Sequence, residues 1–357
     1  MSTDSRPADD RRLRVVVASP LPDELCRLIT DREPRVELVV DQELMPPMRH
    51  PGDHGGDPDF RRSDDQQRRF EQLVDSAEAL YGIPDEKPDQ LARTVRANPG
   101  LRWVQTMAAG GGASVKAAGL DPDELDRVTF TTSAGVHGGT LAEFALFGVL
   151  AGAKDLPRLQ ADQRDRRWAG RWIMRQVSEL TVLVVGLGGI GREVAAKLDA
   201  LGATVIGSRR GDEPVEHVHR LVKPDALAAV VGEVDAIVIT LPGTAATEKL
   251  ISAEVLAAVK PDTVLVNVGR GTVIDEEALV PALSDGRISF AALDVFATES
   301  LPEQSPLWGL PNVVVSPHTA ALNGAEDRRI AELFARNATR LLDGEPMINA
   351  VDTVDFY

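Results

Sequence analysis

Short apolar runs alternate with stretches of helical spacing along most of the chain. In the first third, residues 13–18, 36–40, 79–81, 101–106 and 128–132 read as strands, and residues 22–30, 64–74 and 89–97 as the helices between them. Residues 140–153 (TLAEFALFGVLAGA) form a helix that is apolar nearly all round, so it should be covered on more than one side. A second series of strands follows at 182–185, 204–208, 236–240, 263–268, 289–293 and 313–315, with helices at 253–259 and 276–283. Runs such as VLVV and TVLVNV are apolar on both faces, which predicts parallel strands covered by helices, and six is the expected count for a dinucleotide fold. The last helix, 326–342, places Ile330, Leu333, Phe334, Asn337 and Leu341 on one side and should pack back on the first domain. One stretch breaks the pattern. Residues 41–65 carry four prolines, three glycines, His50 and His54 without apolar periodicity, which predicts a mobile, solvated surface insertion. The fold class is therefore α/β, in two domains.

The most informative unit is VLVVGLGGIGREVAAKL, residues 182–198. A buried strand runs into Gly186-Leu187-Gly188-Gly189-Ile190-Gly191, and Ile190, Val194, Ala195 and Leu198 then recur at helical spacing. In such a G-x-G-x-x-G, Gly186 permits a tight turn, Gly188 admits a pyrophosphate to the backbone and Gly191 lets helix and strand pack closely. The helix N-terminus turns unpaired N–H groups toward the anion.

Composition narrows the partners. The net charge of −16 argues against nucleic acid or an anionic membrane, and any anionic ligand must be held by local cations against the global field. One cysteine, Cys26, rules out an internal disulfide and a multi-cysteine metal site, and no metal is expected. There is no apolar run of about 18 residues and no apolar leader before the first strand, which predicts a cytoplasmic protein.

Three ionisable residues follow the ends of different strands: Arg270 after TVLVNV, Glu299 after FAALDVF and His318 after VVVSP. Ligands of open parallel sheets bind beyond the strands' C-terminal ends, so the three can converge there. A 2-oxo acid needs its carboxylate held, its carbonyl polarised and a proton delivered as hydride reaches carbon. Arg270 suits the first two tasks and His318 the third, with Glu299 orienting the imidazole and favouring its protonated form. At the end of an earlier strand, Ala109, Gly110, Gly111 and Gly112 offer backbone N–H groups for a substrate carboxylate.

In order and spacing, VLVVGLGGIGREVA, LVNVGRGTVIDEEAL, AALDVFATESLPEQSPLW and NVVVSPHTA resemble the D-isomer-specific 2-hydroxyacid dehydrogenases, over residues 101–351. The resemblance implies a Rossmann dinucleotide domain, 137–322, inserted into a flavodoxin-like substrate domain, 1–136 plus 323–357. It implies catalytic roles for Arg270, Glu299 and His318. It puts nicotinamide contacts on Val268, Gly269 and Asp294, adenosine-side contacts on Thr240, Leu241, Pro242 and Thr247, and the 140–153 helix in a homodimer interface. The substrate class implied is a small 2-oxo or D-2-hydroxy acid. Corepressors that sense NAD(P) on the same fold are a rival reading, as are formate- and phosphite-type dehydrogenases; Glu299 disfavours formate, whose enzymes resemble this fold with a glutamine there. Many members carry Gly-Val-Asp where this chain has Gly110-Gly111-Gly112.

A second departure concerns the cofactor, NADP or NAD. The acidic residue that accepts the adenosine ribose hydroxyls about 20 residues past the glycine turn is missing. The strand TVIGS runs instead into Ser208-Arg209-Arg210, a hydroxyl and two guanidiniums suited to a 2′-phosphate, which predicts reduction with NADPH.

Overall fold

The structure is a computed structural model that describes residues 12–354 and Phe356. The polar stretch before Arg12, read above as lacking a leader, lies outside the described residues. The chain divides into two compact units, Met1–His137 with Leu322–Tyr357, and Gly138–Ala321.

The first unit is built on β1 (Leu13–Val17), β2 (Val36–Val39), β3 (Ala79–Tyr81), β4 (Trp103–Gln105) and β5 (Thr129–Thr131), all parallel in the order β2-β1-β3-β4-β5. That is the flavodoxin-like order. The helices Asp64–Val74 and Pro88–Ala97 cover one face through Phe70, Val74, Leu91 and Val95. The helices Asp23–Arg32 and Glu326–Asp343 cover the other. Ile330, Leu333 and Phe334 are buried there as the spacing predicts, with the Phe334 ring stacked on Trp103 at 4.3 Å between centroids. Asn337, polar yet fully buried, is satisfied by Ile348: its Nδ2 donates to the Ile348 carbonyl and its Oδ1 accepts the Ile348 N–H.

Residues 41–65 are not the solvated loop expected. Leu44 and Met45 enter the core, Asp53 is buried against Arg49, and the Gly52 N–H donates to Asp327 at the start of the last helix. His54 is largely buried, its Nε2 3.4 Å from Glu326 Oε1 and its carbonyl accepting from Ser19 Oγ. His50 alone of the pair is exposed. The prolines and glycines here shape a docked segment whose partners lie far along the chain.

The second unit holds β6 (Thr181–Val185), β7 (Thr204–Ser208), β8 (Arg220–Val222), β9 (Ala236–Ile239), β10 (Thr263–Asn267), β11 (Ile288–Leu293) and β12 (Val313–Val315). The order is β12-β11-β10-β9-β6-β7-β8, all parallel, so the sheet has seven strands where six were expected. The extra one, β8, is a three-residue edge strand with little apolar signal. Val182–Val185 and Ala236–Ile239 are buried on both faces, each larger side chain contributing about 1.5–3 kcal/mol. The helix Gly138–Ala153 lies close on β10 and β11, because Gly148 and Gly152 leave no room for a Cβ against Val264, Val266 and Ala292. Its opposite side leaves Phe147 exposed. Strand order reverses between β6 and β9, and the loops that follow β6, β7, β9, β10, β11 and β12 share the C-terminal edge where a ligand is received.

Candidate active site

At the head of β6 each glycine of the turn has a separate physical reason. Gly186 has φ +100°, and its N–H donates to Ser208 O while its carbonyl accepts from Thr240 Oγ1 at 2.8 Å. A Cβ on Gly191 would collide with the Gly186 carbonyl oxygen, so glycine here lets the helix Gly189–Ala200 seat on the strand. At Gly188 and Gly189 a Cβ would meet nothing within 4 Å. The backbone at the helix N-terminus, from Gly188 to Ile190, is thus open on the side a pyrophosphate would take, and the cradle fits a dinucleotide. Leu241, next to Thr240, packs on the turn and on Gly269. Thr247 Oγ1 donates to the Pro242 carbonyl at 2.6 Å, closing the loop after β9.

The loop after β10 is held by a residue that sequence reading passed over. Asn267 is fully buried; its Oδ1 accepts from the Gly269 N–H and its Nδ2 donates to the Arg270 carbonyl, both at 3.0 Å. Gly271 can carry no Cβ, because Phe296 and Ala297 occupy the space. Val268, Gly269 and Arg270 are fixed by these contacts, and the Arg270 side chain is left exposed with Nη1 on the Gly269 carbonyl. Asn267 was invisible as a separate feature because it ends a run of strand residues.

His318 and Glu299 meet. His318 Nδ1 lies 2.8 Å from Glu299 Oε2, and Glu299 Oε1 accepts from the Phe296 N–H at 3.1 Å. Burial pushes the Glu299 carboxyl up, but the His318 hydrogen bond, the Phe296 N–H and the charges of His318 and Arg270 together bring it below the ordinary carboxylate value. The carboxylate stays ionised beside the ring, and it fixes Nδ1 as the nitrogen turned to Glu299, with Nε2 on the far side of the ring. His318 has φ +54°, a left-handed conformation uncommon outside glycine, and Asp294 is what holds it. The buried Asp294 Oδ1 accepts from Ser316 Oγ, Thr319 N–H and Ala320 N–H, and the Asp294 carbonyl accepts from the His318 N–H. Asp294 therefore organises the histidine loop, a role beyond the nicotinamide contact expected of it.

In the first unit, Ala109 and Gly110 are exposed, whereas Gly111 and Gly112 are buried at the start of the helix Gly112–Ala117. The Gly111 N–H is spent on the Ala108 carbonyl, and a Cβ there would strike Thr106 Oγ1. This leaves fewer free donors in the glycine run than three successive glycines suggested. At the end of β7, Ser208 is buried, Arg209 is half-buried and bound to Glu213, and Arg210 is exposed. Among the described residues no group of three or more His, Cys, Asp or Glu is arranged to hold a metal ion.

Comparison with known proteins agrees with this geometry. Residues 146–320 match the family described as D-isomer specific 2-hydroxyacid dehydrogenase, NAD binding domain. The chain is 33% identical over 298 residues to glyoxylate/hydroxypyruvate reductase B of Yersinia enterocolitica, covering 81% of this chain and 88% of that protein. It is 34% identical over 240 residues to D-3-phosphoglycerate dehydrogenase of Mycobacterium bovis, where it spans only 45% of the longer relative. Among solved structures it resembles a D-isomer specific 2-hydroxyacid dehydrogenase from Xanthobacter autotrophicus Py2 in complex with NADPH and MES, with a TM-score of 0.75 and 29% identity over 97% of this chain and 100% of that one. With an open glycine cradle on β6 and a histidine–carboxylate pair after β11 and β12, the chain belongs to the D-isomer specific 2-hydroxyacid dehydrogenase family, as an NAD(P)-dependent enzyme.

Proposed function

We propose that the enzyme reduces small 2-oxo acids to D-2-hydroxy acids, with NADPH as its preferred reductant. The observation that carries the reading is the His318–Glu299 pair at 2.8 Å, near enough to Arg270 for the guanidinium to lower the carboxyl. A reduced dinucleotide held at the backbone of Gly188 to Ile190 would supply the hydride. As the carbonyl carbon gains it, the C=O π pair moves to oxygen, and His318 gives that oxygen the proton on Nε2. Arg270 holds the substrate carboxylate through a forked contact and leans on the carbonyl oxygen. Glu299, ionised, keeps the imidazole oriented through its hydrogen bond to Nδ1. In the oxidative direction the same ring accepts the proton.

NADPH preference rests on Ser208, Arg209 and Arg210 standing at the end of β7 where a carboxylate would serve NADH. The relative crystallised with NADPH is consistent with it. A preference of roughly ten- to a hundred-fold in kcat/KM is expected. The test is a panel of glyoxylate, hydroxypyruvate, phenylpyruvate and branched 2-oxo acids, followed through oxidation of NADPH and of NADH. Turnover of at least one acid with NADPH favoured supports the reading; no turnover of any would favour the corepressor-like alternative. Equal use of both cofactors would remove the NADPH assignment alone.

The same reading includes a homodimer in the cytoplasm and a two-domain division at 136/137 and 322/323, one residue from each bound of the compact units. Phe147 and Leu159 are exposed, and Trp168 and Ile173 stand fully in solvent, an apolar area that a second copy would cover. No helix among the described residues is long and apolar enough to cross a membrane. A monomeric mass by light scattering at micromolar concentration would contradict the dimer.

A further inference from the structure

The strand that sequence reading missed brings a third cation to the end of β7. Ser208 pairs with Val222 in register, the Arg209 N–H donates to the Val222 carbonyl, and the next residue on β8's side is Lys223. Its Nζ donates to the Arg210 carbonyl at 2.7 Å, so it is tied to the Arg209–Arg210 backbone. Arg209, Arg210 and Lys223 thus gather at two neighbouring strand ends. Two of the three are already neutralised from within the same short loop. Arg209 Nη2 lies 3.1 Å from Glu213 Oε2, with Nη1 on the Glu213 carbonyl, and Lys223 Nζ lies 2.5 Å from Asp212 Oδ1. Gly211 leaves room for the first pairing as it stands: a Cβ there would sit 2.6 Å from Glu213 Oε2 and 2.7 Å from Arg209 Nη2. The Arg210 guanidinium has no partner among the described residues.

The geometry points to a self-neutralised anion site: Lys223 is a third arm of the 2′-phosphate pocket, and Asp212 and Glu213 are built-in counter-ions that the phosphate displaces. This rests on the NADPH reading above and adds to it residues that reading does not use. Both acidic side chains are mostly solvent-exposed, and exposed pairs of this kind are weak, so a doubly charged phosphate with three or more oxygens outcompetes them. NADH, with ribose hydroxyls only, has nothing to exchange for the two pairs. The loop therefore holds its cations oriented, limits their attraction for other anions and releases them to the phosphate.

Equilibrium binding to the full-length enzyme tests this, using NADPH, NADH, 2′,5′-ADP and 5′-ADP. In Lys223→Met, NADPH and 2′,5′-ADP should bind about ten-fold more weakly while NADH and 5′-ADP are unchanged. In the double variant Asp212→Asn with Glu213→Gln, NADPH and 2′,5′-ADP should bind roughly two- to five-fold more tightly, again with NADH unchanged. Wild-type preference for 2′,5′-ADP that neither variant alters would overturn this proposal and leave the NADPH reading standing. Weaker NADH binding in the double variant would show that Glu213 or Asp212 serves the ribose hydroxyls and would also overturn it. If the wild type binds 2′,5′-ADP no better than 5′-ADP, both readings fall.

Discussion

Each unit contains a histidine–glutamate pair of nearly the same length, and the two sit in opposite surroundings. In the second unit His318 Nδ1 meets Glu299 at 2.8 Å with the side chains 44% and 36% exposed. In the first, His137 Nε2 meets Glu326 at 2.9 Å with side chains 10% and 3% exposed, and His54 approaches the same oxygen at 3.4 Å. Distance alone does not separate them. What differs is the opening to solvent: the outward side of the His318 ring can reach a ligand, whereas His137 and His54 crowd a carboxylate that Gly52 covers from the other side. The open pair is the one proposed above for proton transfer, and Asp294 fixes its loop from behind. The closed pair ties together the start of the last helix, the joint before Gly138 and the 41–65 segment.

Deleting the open histidine should have the largest effect. His318→Ala should lower kcat for the best 2-oxo acid by about two to four orders of magnitude while leaving Tm within a degree or two, since an exposed ring contributes little packing. Turnover near wild type, or a large loss of Tm, would erase the distinction.

The closed pair should behave in reverse. Removing the carboxylate by Glu326→Ala strands two buried histidines and should cost about 3–5 kcal/mol, read as a fall in chemical-denaturation midpoint, with kcat per folded molecule within a few-fold of wild type. The pH dependence follows from the shifts. Burial raises Glu326, but His137 and His54 outweigh it and hold the carboxyl at about 2, below its ordinary 4.5. A carboxyl depressed on folding stabilises fully above its unfolded value, and that stability is lost as pH falls from 4.5 toward about 2. Burial works against a charged His54, yet Glu326, Asp327 and Glu86 raise its pKa above 6.5, so its contribution is complete below 6.5 and fades as pH rises through the folded value. Wild-type stability should show both slopes, and Glu326→Ala should flatten them.

How far the sequence foretold these two pairs follows from the range of the forces involved. The meeting of Glu299 and His318 could be expected because each comes shortly after an apolar run, and the parallel architecture brings such positions to one edge. That of Glu326 and His54 could not, because they are 272 positions apart and nothing local in a proline- and glycine-rich stretch announces a partner on a distant helix. The strand β8 was missed for a related reason: Arg220, Leu221 and Val222 acquire strand geometry from pairing with β7, and three residues carry too little periodicity to show it. Lys223, which depends on that register, was hidden with it.

A milder change to the open pair sharpens the assignment of roles. Glu299→Gln keeps an oxygen able to accept from His318 Nδ1 but removes the negative charge beside the ring. The expected result is a roughly ten- to a hundred-fold lower kcat, with KM for the 2-oxo acid within a few-fold of wild type. A kcat equal to wild type would make Glu299 a purely geometric support.

The smallest expected effect lies beside the closed pair, at Glu86. Burial pushes its carboxyl from 4.5 up to about 7, against the charge of His54 and hydrogen bonds from Ser19 and the Ile83 backbone. Here the folded value is the higher one, so the native state is favoured while the group is protonated, and stability is lost as pH rises from 4.5 through about 7. Glu86→Gln removes that loss by fixing the neutral form with the same shape. It also removes an anion that supports a charged His54, and this offset shrinks as pH rises through the raised folded value of His54. The gain should therefore be nil at pH 4.5 and grow to the order of 1–2 kcal/mol, a few degrees in Tm, at pH 8. Equal Tm for both proteins at pH 8, or a lower one for Glu86→Gln, would mean that Glu86 is ionised and paired in the native state like its neighbour Glu326.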